Sequence, residues 1–286
     1  MIRLAGERGH RVRALTRRPQ PDEPHVSWMD GALDRADSLA ELVERADAVI
    51  HVAGVINAAD RAGFHAGNIA GTAAIVAAAR DKGVRRFLHI SSLAAREPGL
   101  SYYGWSKAQS EEAVKTSGLD WTIVRPPAVY GPGDREMLEL FRMAAKGVVL
   151  LPPRGRLSLI EVLDLARLML DLIPAPQSVG RTYEPDDGVA QGWSHRDFAR
   201  ALGQAVGRPI LPVSTPAALL RAASRIEAFA RPGRARLTAD RVRYFCHPDW
   251  VVSGYAFPPP DIWVPKVETR AGLRATAEWY RAQGWL

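Results

Sequence analysis

Phe87-Leu-His-Ile-Ser-Ser-Leu-Ala-Ala95, taken with Tyr102-Tyr-Gly-Trp-Ser-Lys107, is the part of the chain from which the fold can be read outward. Phe87 to Ile90 is a short apolar run after the basic turn Lys82-Gly-Val-Arg-Arg86, and it reads as a buried strand. Ser91 and Ser92 stand where that strand ends. Further on, Tyr103 and Lys107 are four residues apart at the start of a helical pattern, so their side chains share one face. A phenol ordinarily ionises near pH 10, and an ammonium one helical turn away favours the phenolate and draws it toward neutral pH. A serine hydroxyl from the neighbouring strand end can bind the substrate oxygen with which the tyrosine exchanges a proton. Alone, a tyrosine and a lysine one turn apart usually make a surface contact. Here the residues around them carry the reading.

With 286 residues the chain can form one large domain or a domain with an appended lobe. Hydrophobic residues make up 47% and charged residues 24%, the balance of an ordinary globular protein. No run of the sequence approaches the roughly 18 apolar residues of a membrane span. Met1-Ile-Arg-Leu-Ala-Gly-Glu-Arg-Gly-His10 is too polar for the apolar core of a signal peptide. The lone Cys246 excludes an internal disulfide and fits a reducing, cytoplasmic setting. The seven histidines show no paired metal-ligand spacing, and no metal is expected. The net charge of +7 comes from 33 arginines and 5 lysines. Much of the excess lies between Ala217 and Arg243, where seven arginines face only Glu227 and Asp240, and no nucleic-acid partner is expected.

Outward from the centre, Asp47-Ala-Val-Ile-His-Val-Ala-Gly54 is a continuous apolar strand ending in small residues, which lets backbone approach a ligand closely. Asn68-Ile-Ala-Gly-Thr72 lies in a long helical pattern running to about Asp81. Trp121 to Arg125 is the next parallel strand, and Pro126-Pro-Ala-Val-Tyr-Gly-Pro-Gly133 breaks regularity at its carboxyl end, where ligands bind in open parallel sheets. With Trp121-Thr-Ile-Val-Arg-Pro-Pro-Ala-Val-Tyr-Gly-Pro-Gly-Asp134 beside the two opening motifs, the chain resembles the extended short-chain dehydrogenase/reductase family. The wording from Arg125 to Asp134 is most like its 3β-hydroxysteroid dehydrogenase branch.

The resemblance implies a Rossmann-like, doubly wound parallel α/β sheet with a smaller C-terminal α/β lobe. The expected core is 1–150 and the substrate lobe 151–286, with some segments returning to the core. It implies Ser92, Tyr103 and Lys107 as the catalytic set, Lys107 also holding the nicotinamide ribose, and Asn68 positioning the active-site strand ends. Leu33 (in Gly31-Ala-Leu), Val52, Ala53, Gly54, Pro126 and Val129 are the expected cofactor contacts. The implied function is an NAD(P)-dependent oxidoreductase acting on a hydroxyl or ketone of a hydrophobic, steroid-like or lipid-like substrate. Ala128 stands where nucleotide-sugar epimerases and dehydratases of the family carry a substrate-binding asparagine, which disfavours that alternative. A non-catalytic dinucleotide-binding or assembly protein is the third reading. A homodimer is compatible with the sequence. The branch's His-Val-Asp-Asp signature is replaced by Glu161, Val162, Leu163 and Asp164.

At the N-terminus, Leu4 to His10 reads as the last turns of a helix stopped by Gly9, followed by a strand at Arg11–Thr16. Arg17 and Arg18 sit just past that strand, where the adenosine ribose would lie. They either bind a 2′-phosphate, which makes NADP the preferred cofactor over NAD, or form an ordinary basic turn before Pro19 and Pro21. The family's first strand and glycine-rich phosphate loop have no counterpart before Leu4. The strands at Arg11–Thr16 and Asp47–Val52 are therefore expected either to expose facing edges or to close into an untypical register. A chain starting at Met1 is expected to be unstable and a poor cofactor binder, and the natural start is expected roughly 20 residues earlier.

Farther along, Ser194 caps a helix that begins in Trp193-Ser-His-Arg-Asp-Phe198, and Gly272 to Tyr280 forms a terminal amphipathic helix with Trp279 and Tyr280 as core anchors. Pro216 to Arg231 places Leu219, Leu220, Ala223, Ile226 and Ala230 at helical spacing among Arg221, Arg225 and Arg231. That stripe either faces a core and roofs the substrate pocket, or lies on an anionic membrane surface and makes the protein membrane-associated.

Overall fold

Short apolar runs alternate with helical patterns through the first part of the chain, and in the computed structural model each of these runs becomes a parallel strand. Residues 1–231 and 237–286 are described; Arg234 and Arg236 of the basic stretch lie outside them. The strands are β1 (Val12–Thr16), β2 (Val26–Asp30), β3 (Ala48–His51), β4 (Arg86–Ile90), β5 (Asp120–Val124), β6 (Ala128–Tyr130), β7 (Val148–Leu151), β8 (Arg156–Leu157), β9 (Leu159–Glu161), β10 (Arg181–Tyr183), β11 (Trp193–Ser194), β12 (Leu211–Ser214) and β13 (Asp249–Trp250). The α-helices are α1 (Ile2–Glu7), α2 (Ala36–Val43), α3 (Arg61–Phe64), α4 (Gly71–Asp81), α5 (Tyr102–Lys115), α6 (Leu138–Ala145), α7 (Val162–Leu172), α8 (His195–Val206), α9 (Ala217–Ala230), α10 (Ala239–Phe245) and α11 (Thr269–Ala282).

The first compact unit comprises Met1–Arg125, Ala166–Tyr183 and Pro258–Trp263. Its main sheet is parallel in the order β10-β5-β4-β3, with His51 opposite His89 and Ile90 opposite Val124. Leu39 and Val43 of α2, Ile75 and Val76 of α4 and Val114 of α5 bury against Phe87 and Ile123 on one face of that sheet. Leu88 and Ile90 alternate to the other face and are buried as well, so both faces are covered. Each fully buried side chain of this size contributes about 2–3 kcal/mol. The first segment of this unit runs to Arg125, and Ala166–Tyr183 and Pro258–Trp263 return to it from later in the chain.

β1 and β2 pair in parallel from Val12–Val26 to Thr16–Asp30, as a separate two-stranded sheet. β1 and β3 do not pair, so of the two expected arrangements the strands take the one with separate edges. The strand expected to run to Gly54 stops at His51; Val52, Ala53 and Gly54 leave the ladder and are exposed. At the N-terminus α1 ends before Gly9, whose φ of +81° only glycine adopts readily. The continuous helical stretch Arg61–Asp81 is 21 residues long and, by average composition, apolar enough to span a bilayer. Within this unit it buries Phe64, Ile75, Val76 and Ala79.

The second unit comprises Pro126–Leu165, Glu184–Phe257 and Val264–Leu286. It contains the parallel pairs β6–β9 and β7–β12 and a small sheet in the order β11-β8-β13. Its core gathers Tyr130, Phe141 of α6, Leu202 of α8 and Leu273 and Tyr280 of α11. The Ser194 Oγ accepts from the Asp197 N–H, capping α8. Asp164 accepts from the backbone N–H groups of Lys266 (3.0 Å) and Val267 (2.8 Å), and thereby ties the start of α7 to the segment before α11. The stripe of α9 departs from the expectation that it faces a core: Leu219 is 60%, Ile226 69% and Phe229 90% exposed, and Ser224 is the buried residue of the helix.

Candidate active site

Lys107 lies one turn into α5, on the face turned toward the carboxyl ends of β3 and β4. It is 5% exposed, and its Nζ donates to the carbonyl oxygen of Ile90 at 2.6 Å. Burial removes water from the ammonium and lowers its pKa to about 8, against the opposing attraction of Glu111 one turn further along. A β-carbon on Gly54 would lie 3.9 Å from Nζ and only 2.8 Å from the Asn68 Oδ1, so glycine is required for the close approach at that strand end.

Asn68 sits in a π-helical turn, His65–Ala70, that interrupts the run from α3 to α4. The extra residue in the turn directs the amide inward. Its Oδ1 accepts from the Val55 N–H (2.7 Å), and its Nδ2 donates to the Val55 carbonyl (2.9 Å) and to Ser106 Oγ (2.8 Å). One buried side chain thus fastens the chain beyond β3 to the helix that carries Tyr103 and Lys107.

Ser101 caps α5 by accepting from the Gly104 N–H at 3.0 Å, which sets Tyr103 in the first turn. Its ring lies 6.3 Å from that of Phe64. Gly104 is needed next to it, because a β-carbon there would stand 2.6 Å from the carbonyl oxygen of Ala94. The start of α5 therefore closes on the 3-10 turn Leu93–Arg96, for which Ser92 is the cap. The two serines at the end of β4 differ sharply. Ser91 donates its hydrogen to Glu111 Oε1 at 2.6 Å, whereas Ser92 Oγ accepts from the Ala94 N–H at 3.2 Å and so keeps its own hydrogen to donate.

Glu111 and Arg125 belong to the site although sequence reasoning passed over them. Glu111 is 1% exposed; Arg125, at the end of β5, donates to it from Nε (2.8 Å) and from a terminal nitrogen (2.7 Å). With Ser91 this joins the ends of β4 and β5 to α5. The available signal was the spacing Lys107, Glu111, Lys115, a charged row on one face of a helix whose neighbours are strands. His51 and His89 were likewise missed. They stack at 5.5 Å between ring centroids and bond Thr72 and Ser110, each at 3.0 Å. Burial, with Lys107 nearby, lowers the pKa of His51 to about 3 and holds His89 well below the usual imidazole range. Ser110 donates its single hydrogen to the Lys107 carbonyl at 2.7 Å, so it accepts from the His89 Nε2–H. His89 Nδ1 is then a bare, buried acceptor with no partner among the described residues.

The expected cofactor contacts fall in both units. Val52, Ala53 and Gly54 form an open shelf at the end of β3, with Val52 49% exposed. Leu33 is half-buried against Gly71, the first residue of α4. Arg17 and Arg18 are exposed and form no ion pair among the described residues; the turn they occupy is closed by the Thr16 Oγ, which donates to the Arg18 carbonyl at 2.6 Å. Pro126 (buried) and Val129 (in β6, half-buried) belong to the second unit.

A family model described as NAD(P)H-binding matches residues 1–173. A ceramide reductase of Caulobacter vibrioides is 35% identical over 299 residues, covering all of this chain and 92% of that protein. A 3 beta-hydroxysteroid dehydrogenase/Delta 5-->4-isomerase of Mycobacterium tuberculosis is 28% identical over 251 residues, covering 74% of this chain and 67% of that protein. Among solved structures, MoeE5 in complex with UDP-glucose and NAD shares the fold at a TM-score of 0.71 and 19% identity, over 99% of this chain and 94% of that one. With a family match across its first 173 residues and a relative alike along its whole length, the chain belongs to the NAD(P)H-binding, extended short-chain dehydrogenase/reductase family.

Proposed function

We propose that this protein is an NAD(P)-dependent oxidoreductase that interconverts a ketone and a hydroxyl on a lipid-like substrate of the ceramide or steroid kind. The observation that carries the reading is the full-length likeness to a ceramide reductase at 35% identity. The shelf at Val52–Gly54 and the buried ammonium of Lys107 fit a nicotinamide dinucleotide, which supplies or takes the hydride when bound. Tyr103 exchanges a proton with the substrate oxygen, and Ser92, its hydrogen still available, donates to that same oxygen. Lys107 holds positive charge one turn from the phenol, favours the phenolate and binds the ribose. Asn68 holds the strand end in place beneath them.

An assay of NADPH and NADH oxidation with a ceramide-like ketone, a steroid ketone and, for comparison, a UDP-sugar tests this reading. Turnover with the lipid ketones is expected, and Tyr103→Phe should lower kcat by about a hundredfold or more. Conversion of the UDP-sugar alone would replace the reading with that of an epimerase. Near wild-type turnover in Tyr103→Phe would remove the proposed acid.

The preferred cofactor is NADP, on the strength of two exposed guanidiniums without ion pairs just beyond β1. An Arg17→Ala/Arg18→Ala variant should bind NADPH roughly 10- to 100-fold more weakly, the scale of a lost charged hydrogen bond, and NADH almost unchanged. Equal losses measured for the two cofactors would make these arginines an ordinary basic turn.

A further inference from the structure

At about 100° per residue, the side chains of α9 divide into three sectors. Leu219, Ala223, Ile226 and Phe229 fall on one side and are all exposed, Phe229 by 90%. Leu220, Ser224 and Glu227 fall on another, and these are the side chains withdrawn from solvent. Arg221 and Arg225 lie between the two, both exposed and without an ion pair among the described residues. They line a cleft with Ser224 and Arg243 of α10, so the basic edge continues onto the next helix. A fourteen-residue helix that turns its apolar stripe outward and a basic edge beside it has the layout of a helix lying flat in a membrane interface. Pairing with a second copy about a two-fold axis suits the stripe less well. It would bring arginine rows together, and Glu227, the one acid of the helix, is turned inward.

We propose that α9 docks the protein on an anionic phospholipid surface, with Leu219, Ile226 and Phe229 entering the headgroup region and Arg221, Arg225 and Arg243 facing lipid phosphates. The chemistry proposed at Tyr103 is not a premise of this inference, and binding can be read without turnover. Flotation of the full chain with vesicles of phosphatidylcholine, alone or mixed with phosphatidylglycerol, tests it. The protein should float with the mixed vesicles at low salt, stay behind with neutral ones, and be released at roughly 1 M NaCl, where the screening length is about 3 Å. Arg221→Ala/Arg225→Ala should lower partitioning by about fivefold per guanidinium. Ile226→Ser/Phe229→Ser should abolish flotation while leaving the thermal melt unchanged, since both side chains lie outside the core. Absence of flotation, equal flotation with neutral vesicles, or full flotation of both variants would overturn the proposal. So would a dimer seen by sedimentation velocity that Phe229→Ser dissociates, if no flotation accompanies it, because the stripe would then belong to a second copy.

Discussion

At the scale of single residues, Lys107 is an ammonium withdrawn almost entirely from water, 5% exposed. Its pKa of about 8 lies below the ordinary lysine value of about 10.4, because burial penalises the ammonium more than Glu111 favours it. Between these two values the folded chain binds fewer protons than the unfolded one. For this group alone, stability therefore rises with pH in that window. With Lys107 in its proposed role, activity should follow the opposite course, since there only the ammonium draws the phenol toward ionisation. The kcat/KM for ketone reduction, which reports the free enzyme, is expected to hold up to about pH 8 and then fall. A profile that stays level to about pH 9.5 would show that charge on Lys107 does not matter to the reaction. Ser91 and Ser92 make a second point at this scale. Adjacent and chemically identical, they are separated only by which acceptor or donor each meets.

Between elements, Glu111 joins the carboxyl ends of β4 and β5 to α5, beside the bond from Lys107 to the Ile90 carbonyl. Glu111, itself 1% exposed, takes bonds from Ser91 and from two nitrogens of the Arg125 guanidinium. Neutralising it leaves a half-buried guanidinium without its counter-charge. Glu111→Gln should cost about 3 kcal/mol, a loss of roughly 6–12 °C in Tm. Because Glu111 also raises the Lys107 pKa, the alkaline limb of the pH profile should move to lower pH in this variant. Unchanged melting together with an unchanged limb would mean that the Glu111–Arg125 pair is incidental. The π-turn at Asn68 and the glycine at 104 act at the same scale: each lets one element approach another at a distance that an ordinary residue or turn would forbid.

Across the whole molecule, the response to acid follows from two imidazoles buried side by side. His51 and His89 stay neutral in the fold, while the unfolded chain takes up protons below about pH 6.5. For His51 the unfolded state thus binds more protons between about pH 3 and 6.5, and His89 acts in the same direction below pH 6.5, so stability is lost as pH falls. From pH 6.5 to pH 5 the loss should be about 1.6 kcal/mol per histidine. Urea midpoints at these two pH values provide the check. His51→Gln and His89→Gln should each flatten the dependence, and an unaltered slope in both would assign the acid sensitivity elsewhere.

The parallel strands, their helices and the Tyr103/Lys107 helix face were legible in the sequence because they rest on local periodicity and on spacing within one element. Apolar runs at Ala48–His51, Arg86–Ile90 and Asp120–Val124 could be buried in few other ways, and a four-residue interval in a helix fixes a shared face. Other features depend on partners far along the chain. Glu111 meets Arg125 only once α5 lies along β5, and His51 meets His89 only through strand register. The end of β3 at His51, the change of unit at Arg125 and the outward stripe of α9 are of the same kind. An amphipathic pattern states that a face is apolar. What covers that face is decided by which other surfaces the fold brings to it.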